Sequence, residues 1–308
     1  MKAIALTQYG GPEVMHVTDL PEPVVGPDSV LVRVRAAGVN PVDTKIREGR
    51  LAGAFPSAFP LVPGWDVAGV VEDIGPAIRE FSIGDEVIGY VRKDHIQHGT
   101  YAERVAAPIR ALAPKPRAAS FAEAAGLPLA GLTALQALDA AEVVAGDTVL
   151  IHAAAGGVGT MAVQLARLRG ANVVGTASVD NHEFLRGLGA EPVTYGEGLL
   201  ARLEKAAPAG IDVVIDLAGG DALELSFALV ADTSRVVSVV DAATVLGNGG
   251  QYVFVRPDPV MLTELSRLVE AGALRVVVTQ TYPLERAAEA HARQEAGHGR
   301  GKIVLEVG

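Results

Sequence analysis

The chain contains no cysteine. That removes disulfides, a thiolate nucleophile and every cysteine-ligated zinc site. Aromatic residues are only 5% of the total, which argues against base-stacking platforms for single-stranded nucleic acid. Positive charge is in deficit, with 26 Lys+Arg against 36 Asp+Glu. The resulting net charge of −10 repels phosphate backbones and excludes nucleic acid as the main partner. Long apolar runs are missing as well. Stretches such as 143–145 and 276–278 fall far short of the roughly 20 residues of a membrane span. Residues 1–9 read as a first β-strand, not as a signal peptide. The expectation is a soluble, cytoplasmic protein with no membrane partner.

What is present points to an α/β protein. A chain of 308 residues, 49% hydrophobic and 20% charged, is long enough for two domains with sizeable cores. Its 35 glycines and 18 prolines are spread along the sequence, as in a turn-rich fold. The first ~110 residues have a β texture. Short β-rich runs at 30–35, 67–74 and 86–91 are separated by Gly-Pro and Pro-Gly breaks at Gly11-Pro12, Gly26-Pro27, Pro63-Gly64 and Gly75-Pro76. Strands this short and closely spaced suggest a compact barrel-like domain. After Pro114-Lys115-Pro116, the capping box Ser120-Phe121-Ala122-Glu123 opens a helix. From about residue 146 strands and helices alternate. Strands are predicted at 148–152, 172–177, 211–216 and 235–240. Helices are predicted at 158–169, 180–187 (capped by Asp180 or Asn181) and 221–230. This rhythm predicts a parallel, doubly wound sheet. The tail reads as helix 259–271, strand 276–282, helix 284–296 and strand 302–307.

The sharpest motif is His152-Ala153-Ala154-Ala155-Gly156-Gly157-Val158-Gly159, which follows a buried strand and opens a helix. That is the setting a dinucleotide fingerprint requires. Gly156 lets the backbone approach a pyrophosphate, and Gly159 lets the helix pack closely on the strand. The helix N-terminus supplies free N–H groups and the positive end of its dipole. Ala154 stands where the first glycine of the fingerprint falls, so the consensus is bent. Ala154, Gly156, Gly157, Val158 and Gly159 are the candidate phosphate contacts. The second strand ends Gly175-Thr176-Ala177-Ser178. An NAD site places Asp or Glu there to hold the ribose 2′-OH, whereas the neutral Ser178 tolerates a 2′-phosphate. This points to NADPH. Asp180 lies two residues further on, and no Lys or Arg lies close by in sequence to pair with the phosphate.

Several stretches together resemble the zinc-independent quinone oxidoreductase branch of the medium-chain dehydrogenase/reductase superfamily. They are Ala37-Gly38-Val39-Asn40-Pro41-Val42-Asp43, Pro63-Gly64-Trp65-Asp66-Val67-Ala68-Gly69-Val70-Val71, Gly84-Asp85-Glu86-Val87 and Gly99-Thr100-Tyr101-Ala102-Glu103. Leu127-Pro128-Leu129-Ala130-Gly131-Leu132-Thr133-Ala134, the turn at 153–159 and Arg300-Gly301-Lys302-Ile303-Val304-Leu305 complete the set. The resemblance runs nearly end to end. It implies a GroES-like β-barrel-type catalytic domain at 1–117 and a Rossmann NADPH-binding domain at 118–272. A C-terminal segment at 273–308 would return to the first domain. It also implies an active site in the cleft between the domains, a homodimer and a small-molecule substrate. Zinc-dependent relatives carry Cys where this chain has Asn40-Pro41, and His-Glu where it has Trp65-Asp66. No metal is therefore expected, and without zinc there is no Lewis acid to lower an alcohol's pKa. What remains is hydride transfer to a quinone or an α,β-unsaturated carbonyl. An enoyl reductase of a biosynthetic pathway and a non-catalytic NADPH-binding sensor are the alternatives.

By the same resemblance Asn40 sits beside nicotinamide and substrate, against the bland reading of a turn asparagine. Thr133 lies near the nicotinamide, or is a helix-interior threonine. Tyr195 lines the adenosine-phosphate end or is a half-buried loop tyrosine, and Asn181 is a further candidate cofactor contact. Lys302 is a cofactor contact or a solvated strand end. Tyr90 and His95 could touch substrate. Asp94-His95-Ile96-Gln97-His98 has metal-like spacing but reads as a solvated loop. His152 reads as a packed core histidine. Related enoyl reductases place a tyrosine proton donor soon after the Asn-Pro-x-Asp stretch. Here Gly49-Arg50-Leu51-Ala52-Gly53 contains none.

Overall fold

The computed structural model describes residues 1–297 and 299–308. The chain divides into two compact units. One comprises Met1–Leu129, Pro257–Gly272 and Val276–Gly308; the other comprises Ala130–Arg256 and Ala273–Arg275.

The first unit holds a seven-stranded sheet around the strand Ser29–Val39. Asp66–Ile74, Arg104–Pro108 and Lys302–Glu306 all pair with it antiparallel. Glu86–Tyr90 and Leu112–Pro114 extend the sheet on one side, and Val278–Pro283 on the other. The strand predicted at 30–35 is thus eleven residues long. Its second half, Ala36-Ala37-Gly38-Val39, is poor in β-branched residues. It stays extended because Lys302–Glu306 pairs with those four positions, so tertiary pairing overrides propensity.

The capping box at Ser120 is present. Ser120 Oγ accepts the Glu123 N–H at 3.2 Å, and the Glu123 carboxylate accepts the Ser120 N–H at 2.9 Å. The short helix Phe121–Ala125 that follows offers its Phe121 ring to the Arg35 and Lys115 cations, 5.1 and 4.8 Å from its centroid. Ser120→Ala is expected to remove about 1 kcal/mol of stability. A thermal melt checks it, and an unchanged midpoint would refute the role of the cap.

The second unit is built on a six-stranded parallel sheet. Its order is Ala190–Thr194, Asn172–Ala177, Thr148–Ile151, Val213–Asp216, Val236–Ser238, Gln251–Tyr252. The chain winds outward in both directions from Thr148–Ile151, so the switch point of the sheet lies at the end of that strand, where open α/β sheets bind ligands. Leu150, Val174, Val193, Val214 and Val236 form the sheet's contribution to a core that Leu199, Leu203, Leu223 and Val245 help to fill. Sequence periodicity does not reveal the strand Ala190–Thr194 or the helix Leu199–Ala206. Pro192 sits in the middle of that strand and cannot donate to a ladder. The strand tolerates it because it lies at the sheet's edge.

Several boundaries move. The helix predicted at 180–187 is His182–Gly187, entered through a 3-10 turn at Val179–Asn181, with Asn181 at the N-cap position but making no side-chain cap hydrogen bond. The helix predicted at 221–230 stops at Ser226. In the tail, Asp258 caps Pro259–Glu270, and Ala287–Glu295 precedes the last strand. Among the described residues no helix is long and apolar enough to cross a membrane.

Candidate active site

The phosphate turn lies at the end of Thr148–Ile151. Thr176 on the neighbouring strand fixes its shape. Thr176 Oγ1 accepts the Ala153 N–H at 3.1 Å, and Thr176 O accepts the Ala154 N–H at 2.9 Å. The residue that takes up the left-handed backbone is Ala153, with φ of 51°. Ala154 is buried with its methyl over Gly175, where an added Cβ would stand 2.8 Å from it. The glycine missing from the fingerprint is therefore offset by a glycine on the next strand. The helix begins at Gly157, one residue before the prediction, and no side chain caps it at Gly156. Its first-turn N–H groups are free of side-chain acceptors and suited to an anion. A Cβ on Gly159 would stand 2.5 Å from Ala153 O and 2.6 Å from Ala154 C, so the helix can sit this close only with glycine there. His152 is fully buried between Thr176 Oγ1 (3.3 Å) and Ser226 Oγ (3.0 Å), and burial pushes its pKa down. It is a packed histidine.

Ser178 and Asn181 come together beyond the second strand, where the Asn181 amide donates to Ser178 Oγ at 3.1 Å. Ala177 pairs with Thr194, which brings the half-exposed Tyr195 to the same end of the sheet. Two further residues, the adjacent His182 and the sequence-distant Arg202, also reach this end. His182 Nε2 meets Thr194 Oγ1 at 3.3 Å, and the Arg202 guanidinium donates to the carbonyls of Thr194, Tyr195 and Gly196. Arg202 lies on the unforeseen helix, 24 positions after Ser178, and its only sequence signal is that it is basic. Thr133 is buried within the helix Pro128–Ala140.

In the first unit Asn40 is the N-cap of the helix Pro41–Arg47, and the Asp43 carboxylate three residues on accepts its N–H. Its Nδ2 donates to Asp66 Oδ2 at 3.0 Å, while its Oδ1 accepts from the Lys302 ammonium. The solvated-strand-end reading of Lys302 fails, because the residue is 4% exposed. Lys302 Nζ also donates to Val39 O at 3.3 Å and lies 3.6 Å from Asp66 Oδ2. Asp66 Oδ1 accepts the Leu129 N–H at 2.8 Å. Burial pushes the Asp66 carboxyl up and the Lys302 ammonium down, and their mutual attraction opposes both shifts.

Asp43 extends this cluster. Its Oδ2 accepts the Asn40 N–H at 2.8 Å and the Tyr101 hydroxyl at 3.2 Å, while its Oδ1 has no hydrogen-bond partner among the described residues. Burial raises its pKa to about 7. Tyr101 in turn meets His291 Nε2 at 3.2 Å, and Arg47 Nη1 lies 3.3 Å from His291 Nδ1. The Arg47 guanidinium also pairs with Glu295. Burial and that guanidinium hold His291 down to about 3. Asp43 and Asp66 stand out in the sequence as acids within apolar stretches. Arg47 and His291 carry no comparable signal.

Tyr90 is fully buried opposite Asp66 in the ladder, its ring 5.9 Å from Trp65 and its hydroxyl without a hydrogen-bond partner among the described residues. His95 is exposed and lines a small pocket with Trp65, Lys93 and His98. Among the described residues no group of three or more His, Asp or Glu could hold a metal ion.

A parallel sheet with a glycine-built turn at its switch point, and a separate unit with a buried Asn-Asp-Lys cluster, are the parts that a nicotinamide-dependent oxidoreductase requires. Known proteins agree. Residues 26–117 match the alcohol dehydrogenase GroES-like domain, and residues 188–305 match the zinc-binding dehydrogenase family. The NADPH-dependent alkenal/one oxidoreductase of Arabidopsis thaliana chloroplasts is 36% identical over 99% of this chain and 79% of its own length. The solved quinone oxidoreductase of Coxiella burnetii is 38% identical, with a TM-score of 0.90 over 100% of this chain and 99% of its own. A solved NAD-dependent alcohol dehydrogenase is 35% identical, with a TM-score of 0.89 over the whole of both chains. The chain belongs to the quinone oxidoreductase branch of the medium-chain dehydrogenase/reductase superfamily.

Proposed function

We propose that this oxidoreductase is zinc-independent, binds NADPH, and reduces a quinone or an α,β-unsaturated carbonyl. The carrying observation is the donor set around Asn40. Where zinc-dependent relatives hold their metal, this chain has an amide, a carboxylate whose two oxygens already accept hydrogen bonds, and a lysine ammonium. A divalent cation does not fit beside that ammonium.

The residues of the second unit fit a phosphorylated dinucleotide. The first turn of Gly157–Leu168 would hold the pyrophosphate. Ser178, Asn181, His182 and Tyr195 would surround the ribose 2′-phosphate, with Arg202 adding positive charge. When bound, the reduced nicotinamide supplies a hydride. Asn40 would orient the acceptor through its second amide hydrogen, the first being engaged by Asp66. The proposal includes a homodimer acting on small molecules, and a sedimentation measurement tests the dimer.

The test is oxidation of NADPH and NADH by purified protein, with benzoquinone, phenanthrenequinone and methyl vinyl ketone as acceptors, with and without chelator. Turnover with NADPH that the chelator leaves unchanged is expected. Loss of turnover on chelation, or none with any acceptor, rejects the proposal. Asp180 favours NADH as a second reading, because its carboxylate lies two residues beyond Ser178. Ser178→Asp separates the two. It would place like charges side by side at a 2′-phosphate and is expected to weaken NADPH binding about 100-fold while sparing NADH. Equal effects on both nucleotides would favour the NADH reading.

A further inference from the structure

The cluster around Asn40 holds a charge that the proposed function does not use. Lys302 opens the strand Lys302–Glu306, and its ladder neighbour Ile303 pairs with Val39, next to Asn40. Taking an ammonium out of water costs several kcal/mol, and an apolar side chain of similar volume would fill the space without that cost. The ion pair with Asp66 accounts for the charge balance but not for the geometry. The ammonium stands 3.6 Å from the carboxylate, and its hydrogen bonds go to Asn40 Oδ1 and Val39 O. An amide whose oxygen accepts from a cation becomes a stronger donor at its nitrogen, because hydrogen bonds in a chain polarise one another. Asn40 Nδ2 carries two hydrogens, one of them directed at Asp66 Oδ2.

We propose that Lys302 is a positioning residue for hydride transfer. Its ammonium fixes the orientation of the Asn40 amide and strengthens the remaining Nδ2–H as a donor to the acceptor's carbonyl oxygen. This rests on the acceptor-side reading of Asn40. In the reaction a hydride and its electron pair form a C–H bond at the β-carbon of an enone. The π pair of the double bond shifts to give an enolate, and the negative charge collects on oxygen. A proton from water completes the saturated carbonyl, and the nicotinamide leaves oxidised by two electrons. The donor matters most where the acceptor holds that charge poorly. Lys302 therefore widens the acceptor range towards simple enones, whereas a quinone delocalises the charge over its own ring.

Two variants test this. Lys302→Met removes the ammonium. Lys302→Met combined with Asp66→Asn removes both charges, so that no unpaired carboxylate is left buried. Each is compared with the wild type for kcat and KM on benzoquinone and on methyl vinyl ketone, and for NADPH affinity by fluorescence titration. In the double variant kcat on the enone is expected to fall about 100-fold. On benzoquinone it is expected to fall less than about tenfold, with KM and NADPH affinity nearly unchanged. Equal losses on the two acceptors mean a purely structural lysine and overturn the inference. Weakened NADPH binding means a cofactor contact and also overturns it. A wild-type protein inactive on both acceptors removes the proposed function and this inference with it.

Discussion

Gly159→Ala is expected to weaken cofactor binding about 100-fold or more while leaving a folded protein. The added methyl would stand 2.5 Å from Ala153 O and 2.6 Å from both Ala154 C and Ala154 O. These are backbone atoms of the phosphate turn, held from the other side by Thr176, so they cannot swing aside as a flexible side chain would. The helix Gly157–Leu168 has to move off the turn by several tenths of an ångström. Its first-turn N–H groups then lose their aim at a bound phosphate. Overpacking of this kind costs about 1–3 kcal/mol of stability. The expected loss of NADPH affinity is larger, about 100-fold or more, because several aligned donors are displaced together. Gly187→Ala is the control. That glycine ends the helix His182–Gly187 with open space around its Cβ position, and alanine there is expected to be neutral or to add about 0.5–1 kcal/mol. Fluorescence titration and urea unfolding of both variants decide the matter. Unimpaired NADPH binding by Gly159→Ala would show that the turn is not the phosphate site.

Asp43→Asn is expected to stabilise the protein at alkaline pH and not at acid pH. In the fold burial raises the Asp43 carboxyl from 3.8 to about 7, so the native state holds its proton more tightly than the unfolded chain does. Stability contributed by the protonated form is fully present below about pH 4. It declines as pH rises and is gone once the pH passes about 7. A rise of that size corresponds to roughly 4 kcal/mol as an upper bound. Asparagine cannot ionise, and its carbonyl oxygen can still accept from the Asn40 N–H and the Tyr101 hydroxyl. The groups facing this carboxyl are Asp66, Lys302 and Tyr101, with His291 and Arg47 behind the tyrosine. His291, held down to about 3, contributes the opposite slope: its share of stability is lost as pH falls below about 6.5. That share is common to both proteins and cancels in their difference. Urea midpoints at pH 5 and pH 8 should therefore diverge, with the variant gaining on the wild type by up to a few kcal/mol at pH 8. Parallel pH profiles would mean that Asp43 is ionised in the native protein.

Much of this architecture is legible without coordinates, for identifiable reasons. The strand Asn172–Ala177 is read to the residue because it is a buried, β-branched run bounded by glycine and serine. The strand–turn–helix at 148–168 is recognisable although Ala154 breaks the fingerprint, because the strand before the turn and the helix after it are both strongly patterned. Other features depend on partners distant in sequence. Ala190–Thr194 carries a proline that argues against a strand until its edge position is known. Residues 36–39 are extended because a strand more than 260 positions later pairs with them. Asn40 stands out in its motif, yet Lys302 reads more readily as a solvated strand end, because most lysines that open a strand face water. Arg47 and His291 meet across 244 positions, beyond the reach of any local pattern.

That long separation sets an order of events during synthesis. The parallel sheet of the second unit is assembled from residues 148–252 and can form as they leave the ribosome. The antiparallel sheet cannot close then, because Lys302–Glu306 occupies an interior position between Ser29–Val39 and Val278–Pro283. At roughly 5–20 residues per second, Ser29–Val39 waits on the order of 10–50 s for that neighbour. Until Lys302 arrives, Asp43 and Asp66 have no lysine countercharge and keep that region hydrated. A chain cut short before residue 302 lacks both the interior strand and its cation. Closure of that sheet is thereby tied to the synthesis of residues 302–306.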